Sequence, residues 1–264
     1  MPVLARLVIV MVLPLLLVPV TRAASVSDTA KEQRWADQIT DQLIVGEPVW
    51  LEADGQRFLA IYTPAETTSV RGTVLLIHGM GAHPDWPQVI QPLRSGLSEK
   101  GWQSLSIQMP LPPEGVDTTG QMALLHEGGD RVRTALAWLE GKGMTPVTLI
   151  AHSRGGVDAL HFVTTHAGAP IVSLVLIGTN GVYDDVPDDV GPLQSLRDIK
   201  LPVLDIYGEN DHENVTRTAP ERRKAAAGNP GYQQIRVPGA DHFFNGKETA
   251  LLAEVTRWLE NHPK

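Results

Sequence analysis

The sequence predicts an α/β fold with one mostly parallel sheet of about eight strands, flanked by helices. Three observations lead to this prediction. Short apolar runs rich in Val, Ile and Leu recur from residue 73 onward, longer helical segments separate them, and polar residues follow where the runs end. Runs of this kind are typical of a parallel sheet that is covered on both faces. With 264 residues, 42% of them hydrophobic, the chain is large enough for one substantial core.

The first stretch of the chain is typical of a secretory signal peptide. Residues 1–6 carry one positive charge, residues 7–20 are wholly apolar, and residues 21–25 offer small side chains for cleavage. The alternative is a retained membrane anchor, but the apolar stretch contains two prolines and is shorter than the roughly 20 residues that a spanning helix needs. We therefore expect residues 1–23 to be removed, with no stable membrane insertion afterwards.

Composition narrows the class of protein. The net charge is −8, and the predicted cleavage would remove Arg6 and Arg22 but no acidic residue. An acidic domain without a basic stripe argues against binding to nucleic acid or to anionic membranes. The absence of cysteine excludes a disulfide, a thiol nucleophile and a lipoprotein anchor. The sequence therefore predicts a periplasmic or secreted protein.

After the leader, the chain divides into an N-terminal helical segment over 24–47 and one α/β domain over 48–264. We predict strands at 48–53, 58–63, 73–77, 104–108, 147–150, 172–177, 203–207 and 234–237. Helices are predicted at 28–44, 87–100, 123–140, 154–166, 219–227 and 247–261. Ligands bind at the carboxyl ends of the strands in such a sheet. Functional residues are therefore expected just after each apolar run.

The motif with the clearest chemistry is a serine between a strand and a helix. The strand at 147–150 ends, Ser153 follows, and a helix is predicted from residue 154. A nucleophile elbow has this order, because the tight turn holds the serine hydroxyl out above the sheet. The turn needs small residues two positions before and after the serine, here Ala151 and Gly155, so the motif is A-x-S-x-G. The alternative is that Ser153 only caps the helix.

A second motif, H-G-x-G at 78–81, follows the strand at 73–77. Glycines there allow backbone N–H groups to face a reacting carbonyl, as in an oxyanion loop. The predicted donors are the amides of Met80 and of Arg154, the residue after the nucleophile. The alternative is an ordinary strand-to-loop turn. His78 is interpreted as a structural histidine that binds nearby backbone.

An acid and a base are predicted after the later strands. Asp211 lies on a turn just past the strand at 203–207 and is favoured over Asp205 and Glu209 as the acid. Asp205 falls within the apolar run, where a buried carboxylate needs a partner that the sequence does not identify. His242 follows the last strand and is the predicted base. No set of His, Asp and Glu has metal-binding spacing, so no metal is predicted.

The motifs follow the order oxyanion loop, Ser, Asp, His, which is the chain order of the α/β-hydrolase triad. Over nearly all of residues 48–264 the sequence resembles that superfamily, and it looks closest to small exported bacterial branches whose members are mostly uncharacterised. The resemblance implies that Ser153 is the nucleophile, His242 the base and Asp211 the orienting acid. It also implies one antiparallel strand near the start of the sheet.

These assignments predict an exported serine hydrolase that cleaves small-molecule carboxylic esters through an acyl-enzyme, without a cofactor. Only residues 178–201 separate the sixth strand from the strand that carries the acid. That is too little for a large cap, so we expect an open site. Trp86, Tyr183 and Phe243 are candidates for the substrate pocket. An acidic loop over 184–189 is expected to be solvated; the alternatives are repulsion of anionic substrates and a weak calcium site.

Two alternatives remain open at this stage. The same triad serves amidases, peptidases and acyltransferases. The second alternative is a binding protein of the cell envelope that has the hydrolase fold but has lost its activity, since a fold alone proves no function. An intact Ser, His and Asp favours an enzyme.

Overall fold

The computed structural model describes residues 26–116 and 118–262 of the chain. The predicted signal peptide, residues 1–23, lies outside the described residues. Within the described ranges, no helix combines the length and the apolar character required to cross a bilayer.

Eight strands form a single sheet in the order β1-β2-β4-β3-β5-β6-β7-β8. The strands are β1 (Glu47–Ala53), β2 (Gln56–Thr63), β3 (Gly72–Ile77), β4 (Trp102–Ile107), β5 (Val147–His152), β6 (Ile171–Ile177), β7 (Val203–Asn210) and β8 (Tyr232–Asp241). β2 runs antiparallel to both of its neighbours, and all later pairs are parallel. The predicted fold class is therefore confirmed, including the antiparallel strand near the start.

Helices cover both faces of the sheet. They are α1 (Thr29–Gln42), α2 (Ile90–Glu99), α3 (Thr118–Gly141), α4 (Gly155–Thr165), α5 (Pro192–Asp198), α6 (Glu213–Ala225) and α7 (Glu248–Asn261). Alternate residues of each strand face opposite layers. In β3, Leu75 and Ile77 face the core under α3 and α4, whereas Val74 and Leu76 face the core under α2 and α7. The residues between β6 and β7 contain only the short helix α5, so no large cap is present.

The chain reverses direction across the sheet at β3. It passes from β3 through α2 to β4 on one side, then crosses back through α3 to β5 on the other side of β3. Such a switch point opens a crevice between the carboxyl ends of the two strands. β3 and β5 pair along their length, with Ile77 opposite Ala151. The residues that follow these two positions therefore meet in that crevice.

A buried ion-pair network holds α1 against the rest of the domain. The Arg131 guanidinium in α3 donates to Glu32 Oε2 and to Glu127 Oε1, each at 2.8 Å. Glu32 Oε1 accepts the Leu111 N–H at 2.8 Å. Burial raises the pKa of Glu32, against the opposing effect of Arg131. α1 is thereby fixed beside the loop that follows β4.

Candidate active site

Ser153 lies on a sharp turn between β5 and α4. Its φ angle is +53°, a left-handed conformation that side chains adopt at a cost of about 1–3 kcal/mol. The turn brings backbones into close contact. A Cβ at Gly155 would lie 2.5 Å from the His78 carbonyl oxygen, and a Cβ at Gly156 would lie 2.1 Å from Thr179 Oγ1. The glycines are therefore required for this turn, and the strained backbone projects the serine hydroxyl away from the strand.

The three predicted triad side chains are in hydrogen-bond contact. His242 Nε2 lies 3.0 Å from Ser153 Oγ, and His242 Nδ1 lies 2.6 Å from Asp211 Oδ1. Both contacts are satisfied when Nδ1–H donates to the carboxylate and Nε2 accepts the serine hydroxyl. His242 and Asp211 are buried, with 6% and 8% of their surface exposed. The arrangement is that of an activated serine nucleophile.

Backbone groups orient the acid. Asp211 follows the last residue of β7, and its Oδ1 accepts the His212 N–H at 2.7 Å. Its Oδ2 accepts the Gly208 N–H at 3.3 Å. Gly178, at φ +58°, passes beside the pair, and a Cβ there would lie 3.1 Å from His242 Nδ1. The carboxylate is thus held by β7 and by the turn after it. At Gly178 there is no room for a side chain beside the contact between Asp211 and His242.

The competing carboxylates serve other contacts. Asp205 is fully buried in β7 and accepts hydrogen bonds from Arg222 Nε at 2.8 Å, Tyr232 Oη at 2.6 Å and Gln234 Nε2 at 2.8 Å. Arg222, in α6, is the partner that the sequence did not identify. Glu209 accepts the Gly239 N–H at 3.0 Å and pairs with an exposed arginine. Of these three carboxylates, only Asp211 contacts His242.

Aromatic rings surround the His242 imidazole. The exposed His212 ring stacks on it with centroids 4.0 Å apart and planes 25° apart. The rings of His152 and Phe243 lie 4.9 Å and 5.0 Å away. His152 Nε2 donates to the His242 carbonyl oxygen at 3.1 Å. Burial lowers the pKa of His152 to about 4, so that this neighbour is neutral at physiological pH. Sequence reasoning did not find the roles of His152 and His212 in this packing.

The glycine-rich loop after β3 lies against the serine. A Cβ at Gly79 would come within 3.1 Å of Ser153 Cβ. The amides of Met80 and Arg154 donate no hydrogen bond to any group of residues 26–116 and 118–262, which leaves both available to an oxyanion. His78 Nδ1–H donates to the Gly79 carbonyl oxygen at 2.8 Å. His78 Nε2 accepts the Met109 N–H at 2.9 Å, and burial lowers the pKa of this histidine to about 3, as suits a structural role.

A cleft of about 430 Å³, including its open mouth, adjoins the two amides. Its lining contains residues 78–81, Arg154 and Gly155, but not Ser153 itself. The opposite wall comes from the loop after β4 and from α3, and consists mainly of apolar side chains (Met109, Pro110, Leu111, Pro112, Leu124 and Leu125). The cleft thus begins beside Ser153 and runs along the loop of residues 109–112.

Two charged residues, Arg154 just before α4 and Asp158 within it, also line this cleft. Arg154 Nη1 donates to Asp185 Oδ2 at 2.6 Å, so the arginine is bound to the acidic loop. Asp158, one helical turn further on, keeps a partial exposure to the cleft. Burial raises the pKa of its carboxyl to about 7, against the smaller opposing effect of Arg154. Asp158 belongs to none of the sequence motifs, although a lone carboxylate in an apolar helix is unusual.

None of the three aromatic residues predicted for a substrate pocket lines this cleft. The Trp86 ring packs against His83 at 5.2 Å, in a separate depression beside α1. Tyr183 packs beside Arg154, with its ring 5.4 Å from the guanidinium carbon, and its hydroxyl accepts the Asn180 N–H. Phe243 contacts the His242 ring instead. Each residue lies on a loop, and its local sequence does not specify which way the side chain faces.

The acidic loop does not form a metal cluster. Asp185 is engaged by Arg154, and no group of three or more His, Asp or Glu residues within the described ranges could hold a metal ion.

The fold is similar to that of solved α/β hydrolases. An α/β serine hydrolase homologue from Coxiella burnetii is 14% identical with a TM-score of 0.64, over 82% of this chain and 99% of that one. Dienelactone hydrolase from Anabaena variabilis is 19% identical with a TM-score of 0.64, over 83% and 98%. An α/β serine hydrolase without lid from Xanthomonas campestris is 14% identical with a TM-score of 0.63, over 83% and 95%.

At these identities the similarity establishes the α/β-hydrolase fold and transfers no activity. No curated protein matches the chain in sequence. One family model matches most of the chain, over residues 18–127 and 117–261. The chain therefore belongs to the family described as protein of unknown function (DUF3530).

Proposed function

We propose that this chain is an exported serine hydrolase that cleaves carboxylic esters of small molecules. One observation carries the proposal: the unbroken hydrogen-bonded series from Ser153 Oγ through His242 to Asp211, at the switch point of the sheet. The ends of three strands, β5, β7 and β8, position these groups, and the two free amides of Met80 and Arg154 lie on neighbouring turns. This combination is what acyl transfer through a serine requires.

The reaction follows from the geometry. His242 Nε2 takes the proton of Ser153 Oγ as that oxygen attacks the ester carbonyl carbon. The amides of Met80 and Arg154 bind the resulting oxyanion, and such donors each contribute about 2.7–4 kcal/mol to stabilising the transition state. The imidazolium then protonates the leaving alcohol. Water, deprotonated by the same nitrogen, releases the acid from the acyl-enzyme, while Asp211 stabilises the cation and fixes the tautomer.

The open site favours water-soluble esters over long lipid chains. The residues between β6 and β7 form loops and the seven-residue helix α5, and no element of the described chain covers the nucleophile as a large cap would. The structurally similar Xanthomonas protein is likewise described as lacking a lid. The apolar stretch over 7–20 supports export to the periplasm or the medium.

The decisive test is Ser153→Ala in the purified protein. We expect the wild type to hydrolyse short-chain p-nitrophenyl esters and to be labelled by a fluorophosphonate. The variant should lose labelling and about a million-fold in kcat, because the nucleophile is absent. Ser95→Ala on α2 is a matched control that should retain both. A wild type that neither turns over esters nor reacts with the probe would favour the inactive binding protein.

Parallel assays with an anilide and a thioester of the same acyl group separate esterase activity from amidase and acyl-transfer activity. Faster turnover of the anilide than of the ester would contradict the ester assignment while retaining the serine mechanism.

A further inference from the structure

Asp158 is a half-buried carboxyl that the proposed mechanism does not use. It lines the same cleft as the proposed oxyanion donors, one helical turn beyond Arg154. Its Oδ1 lies against Gly128 of α3, where an added Cβ would come within 2.9 Å of it and within 3.0 Å of Met109 Cε. A glycine in the middle of a helix has a cost in stability, and here it leaves room for the carboxyl.

Within the described residues, Asp158 has no partner other than its own backbone amide. Arg154 is the nearest cation along the helix, but its guanidinium donates to Asp185 at 2.6 Å and to Gln121 at 3.4 Å. The contrast with Asp205 is clear, since that fully buried carboxylate receives donors from three side chains. Asp205 is satisfied as a structural group should be, whereas Asp158 is left with free acceptor positions that face the cleft.

A carboxyl in this setting reduces stability without a structural benefit. Unsatisfied buried polar groups are rare in folded proteins, and where they persist beside a cleft they commonly serve a ligand. The ligand group that satisfies a carboxyl is a hydrogen-bond donor, and an anionic group would be repelled by it. Apart from His78, Gln121 and Arg154, the other side chains that line the cleft are apolar, so the donor has to sit on a largely apolar chain.

We propose that Asp158 determines specificity, and that the cleft receives the part of a substrate ester that carries a hydrogen-bond donor, either a hydroxyl or a protonated amine. The proposal rests on the proposed ester hydrolysis at Ser153 and adds the chemical class of the substrate. Buried polar groups make strong discriminators, because an analogue that lacks the matching group leaves the protein group unpaired.

The test compares esters that differ only in that group. On the alcohol side, the pairs are hydroxyethyl butyrate against propyl butyrate, and dimethylaminoethyl butyrate against isopentyl butyrate. On the acyl side, the pair is the p-nitrophenyl ester of β-hydroxybutyrate against that of butyrate. For each pair, the ratio of kcat/KM values is measured in the wild type, in Asp158→Asn and in Asp158→Leu. Asp198→Asn, an exposed carboxyl on α5 outside this cleft, is the matched control.

In at least one pair, we expect the wild type to prefer the donor-bearing ester by about tenfold or more, as a hydrogen bond to a charged or polar buried group implies. Asp158→Leu should bring that ratio close to one. Asp158→Asn retains an acceptor oxygen without the charge, so it should keep a preference for the hydroxyl and lose any preference for the amine. Asp198→Asn should keep the wild-type ratios. Thermal unfolding of each variant verifies that it is folded.

The two proposals fail in different ways. If Ser153-dependent hydrolysis occurs but the ratios are near one in the wild type, or unchanged in Asp158→Leu, the role of Asp158 is wrong and the esterase assignment stands. If the wild type hydrolyses neither the plain nor the donor-bearing esters and is not labelled by the fluorophosphonate, the esterase assignment is wrong and the specificity proposal falls with it.

Discussion

Two aspartates of the β7 region show how surroundings assign roles to identical side chains. Asp205 lies within the strand and is bound by Arg222, Tyr232 and Gln234. Asp211 follows the strand and binds His242. The first carboxylate balances a buried guanidinium, whereas the second holds an imidazole that changes its charge in the proposed mechanism. Replacing each by asparagine should therefore damage different properties.

Asp211→Asn should lower kcat by about 10⁴-fold with little loss of stability, because the amide favours the wrong imidazole tautomer. Asp205→Asn should instead lower the free energy of unfolding by about 3–5 kcal/mol, because it leaves the Arg222 charge buried without a counter-charge. Urea denaturation and ester kinetics on both variants test this contrast. Equal losses of stability, or a larger kinetic loss in Asp205→Asn, would contradict it.

The exposed ring of His212 stacks on the imidazole of His242, the proposed base, and helps to hold that imidazole in place. His212→Ala should lower kcat by about tenfold and leave KM nearly unchanged, since aromatic pairs contribute about 0.5–1.5 kcal/mol to holding a ring in place. His212→Phe keeps the stacking surface and should restore most of the rate. If the phenylalanine variant were as slow as the alanine variant, the nitrogens of the His212 imidazole, and not its stacking surface, would be what matters for the rate.

At the residue scale, the sequence predicted the side chains whose place depends on a strand end. Ser153, Asp211 and His242 each follow a recognisable apolar run, so the sheet brings them together. The position of Asp158 depends on how α3 packs on α4, and the position of Trp86 depends on a loop beside α1. Such contacts join residues distant in sequence, and a local pattern carries no information about them.

Elements were predictable in kind and order, and less so in their limits. The predicted helix at 219–227 is in fact α6, Glu213–Ala225, with Pro220 inside it. A proline is best tolerated in the first turn of a helix, so the sequence beside it resembles a helix start. The early turns of α6 are nevertheless held by Val215 and Ala219, which pack on Tyr207 of β7. Arg222 lies within both ranges, and its pairing with Asp205 depends on how α6 packs on β7, which no local pattern specifies.

The junction of α4 with the end of β3 is the element contact on which the elbow depends. Gly155→Ala would place a methyl group 2.5 Å from the His78 carbonyl oxygen and 2.8 Å from Ile77 Cγ2. We expect a loss of about 1–3 kcal/mol in stability from overpacking. We also expect kcat to fall by about a hundredfold, as the nucleophile moves relative to the amide of Met80.

Gly141→Ala is the matched control for that substitution. Gly141 ends α3, and an added Cβ there meets no atom within 4 Å. The variant should be as active as the wild type and slightly more stable, by about 0.4–1 kcal/mol. If Gly155→Ala also kept the activity and stability of the wild type, the elbow would tolerate a larger separation of α4 from β3 than the distances imply.

In the molecule as a whole, buried titratable groups have opposing effects on folding stability as the pH changes. The pKa of His78 is lowered to about 3 and that of His152 to about 4, from an ordinary 6.5. The unfolded chain binds these protons more readily, so the stability that the two histidines confer is present above pH 6.5 and lost as pH falls. The pKa of Asp158 is raised to about 7, from 3.8. There the folded state keeps the proton, so stability is greatest below pH 3.8 and lost as pH rises towards 7.

Asp158→Asn isolates the contribution of the histidines. Between pH 7 and pH 5 each buried histidine should remove about 2 kcal/mol, whereas Asp158 should return about 2 kcal/mol to the wild type. The free energy of unfolding should therefore fall by about 4 kcal/mol in the variant and by only about 2 kcal/mol in the wild type over that range. Urea titrations at several pH values measure both slopes. Parallel profiles for the two proteins would contradict the raised pKa of Asp158.

The anchoring of α1 also decides where fusion partners can be placed. The Asp28 N–H donates to the carbonyl oxygen of Leu111 at 2.8 Å, and Leu111 lines the cleft, so the segment just before α1 lies next to the cleft. At the other end, Glu260 of α7 pairs with Arg71, which precedes β3. The length of β3, about 17 Å, separates that pair from the catalytic edge of the sheet. An affinity tag or surface linkage after α7 should leave the proposed active site accessible, whereas one attached close to Asp28 should crowd the cleft.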